Sequence, residues 1–152
     1  MKIIPITRSS GMWAKVAAYA QQCSWGAGRS LAREMNADGF QDWERVFVAL
    51  AGDEIAGYCT LSKTDCIPDV PYTPYIGYVF VGEQFRGARL SQHLINCAME
   101  YARELGFDRV YLVSDHVGLY EKYGFVKVDQ KPAPWAPDTL ETIFMHMLSH
   151  LT

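Results

Sequence analysis

Long hydrophobic runs are missing from this 152-residue chain. None approaches the roughly 20 apolar residues that a membrane-spanning helix needs. The start, MKIIPITRSS, lacks the apolar stretch of a secretory signal, so the cytoplasm is the expected location and no membrane partner is expected. Cysteine is sparse: Cys23, Cys59, Cys66 and Cys97 form no CxxC pair. Neither they nor the four histidines are spaced as metal ligands, so the expectation is reduced structural thiols and no metal. Charge of one sign is also lacking, with 14 basic against 17 acidic residues and a net charge of −3. That argues against a dedicated nucleic-acid binder, which carries a basic face, and is compatible with a cationic substrate without favouring one. No repeat, low-complexity tract or long linker divides the chain, and one domain over 1–152 is expected. With 49% apolar and 20% charged residues, disorder is excluded.

What is present reads as a mixed α/β chain. Ile3–Ile6 is a short apolar run, and Ser9 or Ser10 after it is expected to cap a helix. Trp13, Val16, Ala17 and Ala20 then recur at helical spacing and predict a core-facing stripe. A second helical stretch runs from about Arg29 towards Trp43 and breaks near Asn36-Ala37-Asp38-Gly39. Arg45–Leu50 and Ile55–Ser62 form a predicted hairpin turning at Ala51-Gly52-Asp53-Glu54. Lys63–Pro74, with three prolines and two aspartates, is expected to be a surface loop. Tyr75–Val81 reads as a buried strand, and Gly82–Arg89 as a polar turn.

The helix after that turn is expected to place Leu90, Leu94, Cys97, Ala98, Tyr101 and Leu105 on one face and to stop at Gly106. Val110–Val113 is a further strand, and a short helix around Leu119–Lys122 ends at Gly124. Phe125–Val128 resumes extended structure, followed by a proline-broken loop with Trp135. Thr142–Leu148 is the last predicted strand, with an edge available for a homodimer.

The most informative stretch is YIGYVFVGEQFRGARLSQHL, a strand that ends in a turn holding Arg86 and Gly87 and passes straight into a helix. Such a turn aims backbone N–H groups at one point, and the helix N-terminus adds partial positive charge. An anion such as a phosphate or pyrophosphate fits there, with Arg86 and Arg89 adding charge-assisted hydrogen bonds. An ordinary strand–helix turn with solvated arginines explains the same residues equally well. Neither GxxxxGK[ST] nor a GxGxxG after the first strand occurs.

The turn resembles the acetyl-CoA loop of the GNAT superfamily of N-acetyltransferases, Q/R-x-x-G-x-G/A, through Arg86-Gly87-Ala88-Arg89-Leu90-Ser91. Tyr78-Val79-Phe80-Val81 is similar to that family's central strand, and GLYEKYGF (Gly118–Phe125) to its second signature. The chain departs from the pattern at Arg89 and Ser91, where the family has small residues; both keep a backbone N–H. Arg89 is then expected to reach a CoA phosphate and Ser91 to add a hydroxyl contact.

The resemblance implies a mainly antiparallel mixed sheet flanked by helices, in the α+β manner, with a bulged central strand that splays from its neighbour. It implies acetyl-CoA as cosubstrate, held by the backbones of Val79 and Val81 and by Arg86, Gly87, Ala88, Arg89, Leu90 and Ser91. The implied reaction is direct attack of a primary amine on the thioester in a ternary complex, with Tyr120 as general acid and Tyr123 as core or wall. Non-catalytic acyl-CoA binding or sensing on the same fold is the alternative, and an interaction module without CoA a third.

The base is open between His116, beside Asp115 at a strand end, and Glu83, just beyond the central strand. Capping by Asp115 and simple exposure of His116 and Glu83 explain those residues as well. Substrate choice is expected from the first two helices and the Lys63–Pro74 loop, with Trp25, Asp65 and Asp69 as a possible aromatic and acidic wall. Their bland explanation is core packing and turn formation. Small amines, aminoglycosides, polyamines, amino acids and peptide lysines all remain open as acceptors.

Overall fold

The structure is a computed structural model that describes residues 1–149. Its elements run β1 (Lys2–Ile6), α1 (Trp13–Gln22), α2 (Ala27–Asn36), β2 (Arg45–Ala51), β3 (Glu54–Ser62), β4 (Tyr75–Val81), α3 (Leu90–Glu104), β5 (Arg109–Ser114), β6 (Val126–Ala133) and β7 (Ala136–Met147). The strands hydrogen-bond in the order β1-β2-β3-β4-β5-β7-β6, mostly antiparallel. The mixed α/β class and the order of elements are those expected. No helix among the described residues is long and apolar enough to cross a membrane. Two compact units divide the chain: Met1–Leu61 with Tyr78–Ala98, and Ser62–Gly77 with the chain from Met99 onward.

In the first unit, α1 buries the stripe Trp13, Val16, Ala17 and Ala20, as its spacing predicts. The Trp13 indole donates to the Met35 carbonyl at 3.1 Å and stands edge-on to Phe40. Ser10 does not cap α1 through its side chain. Its hydroxyl accepts from the Thr7 N–H at 2.9 Å, and its carbonyl accepts from Trp13 N–H at 3.1 Å. The residues Thr7–Ser10 thus close a turn of their own, and the hydroxyl is spent there. The second helix starts at Ala27, slightly earlier than expected, and ends at Asn36 where the break was expected, ahead of Asp38 in the left-handed region (φ 62°); it does not resume towards Trp43.

Along α3 the buried residues are Leu90, Leu94, Ile95, Ala98 and Ala102. The expected face is therefore rotated: Cys97 and Tyr101 are half-buried, and Leu105 is 41% exposed past the helix end. The buried stripe runs through Ile95 and the small Ala102 rather than Cys97 and Tyr101.

In the second unit, β5 and β6 flank β7 on either side, both antiparallel to it. β7 is accordingly an interior strand, and the open edge expected of Thr142–Leu148 belongs to β6 instead. The presumed proline-broken loop is mostly strand. Pro132 lies in β6, where an edge position leaves its missing N–H harmless. Ile67 of the 63–74 loop is 5% exposed and packs with Tyr75, Tyr111 and Ile143, so this loop is partly core. The short helix expected at Leu119–Lys122 is a 3-10 turn over Glu121–Tyr123, closed by Gly124 at φ 94°.

Gly57 of β3 sets how closely β4 approaches. A Cβ there would lie 2.5 Å from the Phe80 carbonyl oxygen and 3.2 Å from Val81 Cα, both backbone atoms that cannot rotate aside. Gly57→Ala should therefore lower stability by about 1–3 kcal/mol in urea unfolding, and an unchanged midpoint would contradict this account of the β3–β4 approach.

Candidate active site

The site is built on the end of β4 in the first unit. Tyr78 has φ 48°, a left-handed backbone in mid-strand that a bulky residue adopts only at a cost. A residue in this conformation bends a strand locally. Aromatic packing holds the kink. Trp25 stacks on Phe80 with centroids 5.9 Å apart and planes at 2°, and meets Tyr78 edge-on at 6.3 Å. Phe80 in turn packs on Tyr58 and Tyr19. Val79 and Val81 are half-buried.

The chain then makes a 3-10 turn over Glu83–Phe85. Gly82 N–H donates to the Ala56 carbonyl at 2.8 Å, which ties the turn to β3. Arg86 folds back, its Nε donating to the Val81 carbonyl at 3.0 Å and its guanidinium lying 5.9 Å from the Phe80 ring centre. Gly87 (φ 90°) and Arg89 (φ 59°) both take left-handed backbone, and Gly87 has open space around it. Arg86, Gly87, Ala88 and Arg89 are exposed, Ser91 is half-buried and Leu90 is buried.

The first helical bond of α3 runs from His93 N–H to the Arg89 carbonyl at 3.1 Å. The first turn of a helix turns its N–H groups outward, ahead of any i−4 acceptor, which is where anions bind. Arg89, standing where the resemblance has a glycine, keeps a glycine-like conformation. An open cleft of about 900 Å³ lies beside the turn, lined by Lys15, Tyr19, Glu54, Phe80, Glu83 and Phe85 among others. Glu83 itself is exposed and its carbonyl accepts the Arg86 N–H.

In the second unit, Tyr120 is buried and its ring is boxed by His116, Tyr123, Phe125 and Phe144 at centroid distances of 5.9–6.2 Å. Its carbonyl accepts N–H bonds from Tyr123 and Phe125 at 3.0 and 3.1 Å, so the 3-10 turn and Gly124 fix its backbone. His116 and Asp115 are exposed, 3.9 Å apart. The His116 ring is oriented by Ser114, whose Oγ lies 2.9 Å from Nδ1 and accepts the His116 N–H at 3.0 Å. No side chain caps the 3-10 turn, so the capping explanation for Asp115 is not realised.

Asp69 sits in an exposed turn at φ 59°. Asp65 is half-buried, takes the Cys66 N–H at 2.6 Å, and desolvation holds its carboxyl above the ordinary range. Desolvation also pushes the thiols of Cys59 and Cys97 up, and desolvation with the charge of Asp65 takes that of Cys66 to about 12. None is primed as a nucleophile.

The model of the acetyltransferase (GNAT) family matches residues 13–125. The chain belongs to the GNAT family of acetyltransferases. Its cosubstrate is acetyl-CoA. Among solved structures, this acetyltransferase is similar to an aminoglycoside 6'-N-acetyltransferase complexed with coenzyme A, at 16% identity and a TM-score of 0.75, covering 100% of this chain and 99% of that one. It is also similar to the aminoglycoside 6'-N-acetyltransferase of Enterococcus faecium, at 17% identity and a TM-score of 0.74 over 100% and 99% of the two chains. A third likeness is YhbS of Escherichia coli in complex with CoA, at 19% identity and a TM-score of 0.70 over 97% and 81%. At these identities the likeness is one of fold. No curated protein matches the acetyltransferase sequence.

Two features of the acetyltransferase escaped sequence reasoning. Ser114 orients His116, and its only signal was a hydroxyl two residues earlier at a strand end. Glu141 is a carboxylate only 7% exposed, just outside the predicted last strand. The left-handed Arg89 supports a direct test. Arg89→Gly removes the Cβ strain of that backbone and should raise stability by up to about 1 kcal/mol, read as a higher denaturation midpoint. A lower midpoint would mean that the arginine side chain stabilises the turn by more than its backbone costs.

Proposed function

We propose that this acetyltransferase moves an acetyl group from acetyl-CoA to a primary amine by direct attack in a ternary complex, and that residues 1–152 act as one catalytic domain. The observation that carries the reading is the passage from a kinked β4 through left-handed Gly87 and Arg89 into the N-terminus of α3. The residues present fit the group. An exposed turn of small and basic residues at a helix N-terminus suits a pyrophosphate, which Gly87, Ala88, Arg89, Leu90 and Ser91 would hold through backbone N–H groups, with Arg86 and Arg89 adding charge.

Val79 and Val81 would align the pantetheine arm through their backbones. When bound, acetyl-CoA supplies an activated thioester. Everything else falls to the chain. A backbone N–H near the β4 kink polarises the carbonyl under attack. An amine is mostly protonated near neutral pH and must lose a proton before it attacks. His116, with its ring held by Ser114, takes that proton; Glu83 in the cleft is the second candidate. Tyr120 donates its phenolic proton to the departing sulfur, its backbone fixed by the 3-10 turn and its ring by the aromatic box.

Tyr120→Phe keeps the ring and removes the proton donor. Its kcat should fall by about 10²-fold or more while acetyl-CoA affinity stays nearly constant. An equal loss of binding and turnover would assign Tyr120 a structural part instead. Acetyl-CoA binding without CoA release for any amine would favour a non-catalytic acyl-CoA sensor.

A further inference from the structure

We infer that Asp65, Glu141 and Asp115, clustered where β5 and β7 meet the 63–74 loop, form a subsite for a second ammonium group of the acceptor. The preferred acceptor is then a small organic molecule with at least two protonated amines. This rests on the transferase reading above.

The geometry lies wholly within the second unit. The register of β5 with β7 ends at Ser114↔Thr142, so Asp115 and Glu141 are the next residues on the two chains. Side chains alternate along a strand, which puts Glu141 on the face of Ile143 and Met145, and Asp115 on that of Tyr111 and Val113. That face is covered by the 63–74 loop through Ile67, Val70 and Tyr72, packed with Tyr75, Tyr111 and Ile143. The same loop carries Asp65. An apolar face thus ends in three carboxylates contributed by two strands and a loop.

Two observations set this cluster apart from a solvated acidic surface. Tyr75 is 1% exposed, and its hydroxyl is buried with no hydrogen-bond partner among the described residues, although it lies in the field of Asp65 and Cys66. A buried hydroxyl with both donor and acceptor capacity unused is rare and costly, and calls for an absent partner. The second is Glu141, buried with no ion pair among the described residues. Lys131, its cross-strand neighbour in the register, carries its ammonium 4.0 Å from Asp129.

Desolvation, with the nearby charges of Asp115 and Asp65, holds the Glu141 carboxyl above its ordinary range, while His116 acts the other way. Asp65 is likewise held up by desolvation. Like charges set side by side, with Glu141 and Asp65 partly withdrawn from water and Asp115 exposed, are relieved by a cation. An ammonium brings three N–H donors, enough to serve two carboxylates and still leave one, and Tyr75 beside Asp65 offers an unused hydroxyl. Once the reacting amine has lost its proton to His116 it no longer neutralises these carboxylates, and a second ammonium does.

The test titrates spermidine, kanamycin and n-butylamine onto the protein saturated with CoA, and measures CoA release from acetyl-CoA with each amine. Spermidine or kanamycin should bind at least about tenfold tighter than butylamine, and Glu141→Gln should remove about tenfold of that advantage. The better of the two identifies a linear polyamine or an amino sugar. The same charge change in Glu104→Gln, on α3, should leave the advantage intact.

Tyr75→Phe should not destabilise the free protein, since its hydroxyl has no partner to lose, but should weaken the polycation. Should Glu141→Gln fold poorly, Asp65→Asn replaces it. Equal binding of all three amines, or an advantage indifferent to these variants, would overturn the subsite even where butylamine releases CoA. A variant-sensitive advantage with no CoA release would keep the subsite and overturn the transferase reading.

Discussion

Left-handed backbone at three positions, Tyr78, Gly87 and Arg89, shapes the path from β4 into α3. Only one of the three is a glycine, so the other two hold conformations that cost an L-residue roughly 1–2 kcal/mol each. Surrounding contacts must offset that cost. At Tyr78 they are the rings of Trp25 and Phe80, and the hydrogen bond from the Tyr78 hydroxyl to Glu34. At the turn they are the Gly82–Ala56 bond and the Arg86 side chain clasped to the Val81 carbonyl. Strain that persists at a site while the fold around it is well packed belongs with function.

The kink also explains the aromatic density of the first unit. Trp25 and Tyr19 pack on Phe80 beside the cleft, and the same rings that bury apolar surface fix the strand end. Packing and binding are therefore not competing explanations for these residues. A side chain can pack inward while its backbone groups serve a ligand. In the second unit the same economy holds for Tyr120, where an aromatic box and a 3-10 turn immobilise a residue offered as proton donor. Preorganisation of this kind lowers the reorganisation a reaction must otherwise supply.

How much was legible in the sequence depended on whether the signal was local. The α1 stripe, the β2–β3 hairpin, the exact span of β4 and the stop at Gly124 follow from periodicity and turn residues, and the structure has them. Ser10 misled because a hydroxyl before a helix can also close its own turn, and only the Thr7 N–H decides which. Pro132 and Pro134 read as breakers, whereas an edge strand and a hairpin turn tolerate them. For α3 the tertiary context shifted the buried face onto Ile95 and Ala102. The turn before α3 was visible as a motif, but the left-handed φ of Arg89 was not, since arginine rarely adopts it. Glu141 and Ser114 gain meaning only from neighbours distant in sequence or turned by the backbone, which no spacing rule encodes.

The measurement that tests the central claim most directly is thermal unfolding with and without saturating acetyl-CoA. At about 100 times its dissociation constant a ligand of the native state adds roughly 2.7 kcal/mol, or about 5–11 °C in Tm for a chain of this length. A rise of that size is the result predicted if the left-handed turn before α3 holds the cofactor. An unchanged Tm at millimolar acetyl-CoA would contradict the account, because the strained turn would then have no ligand to explain it.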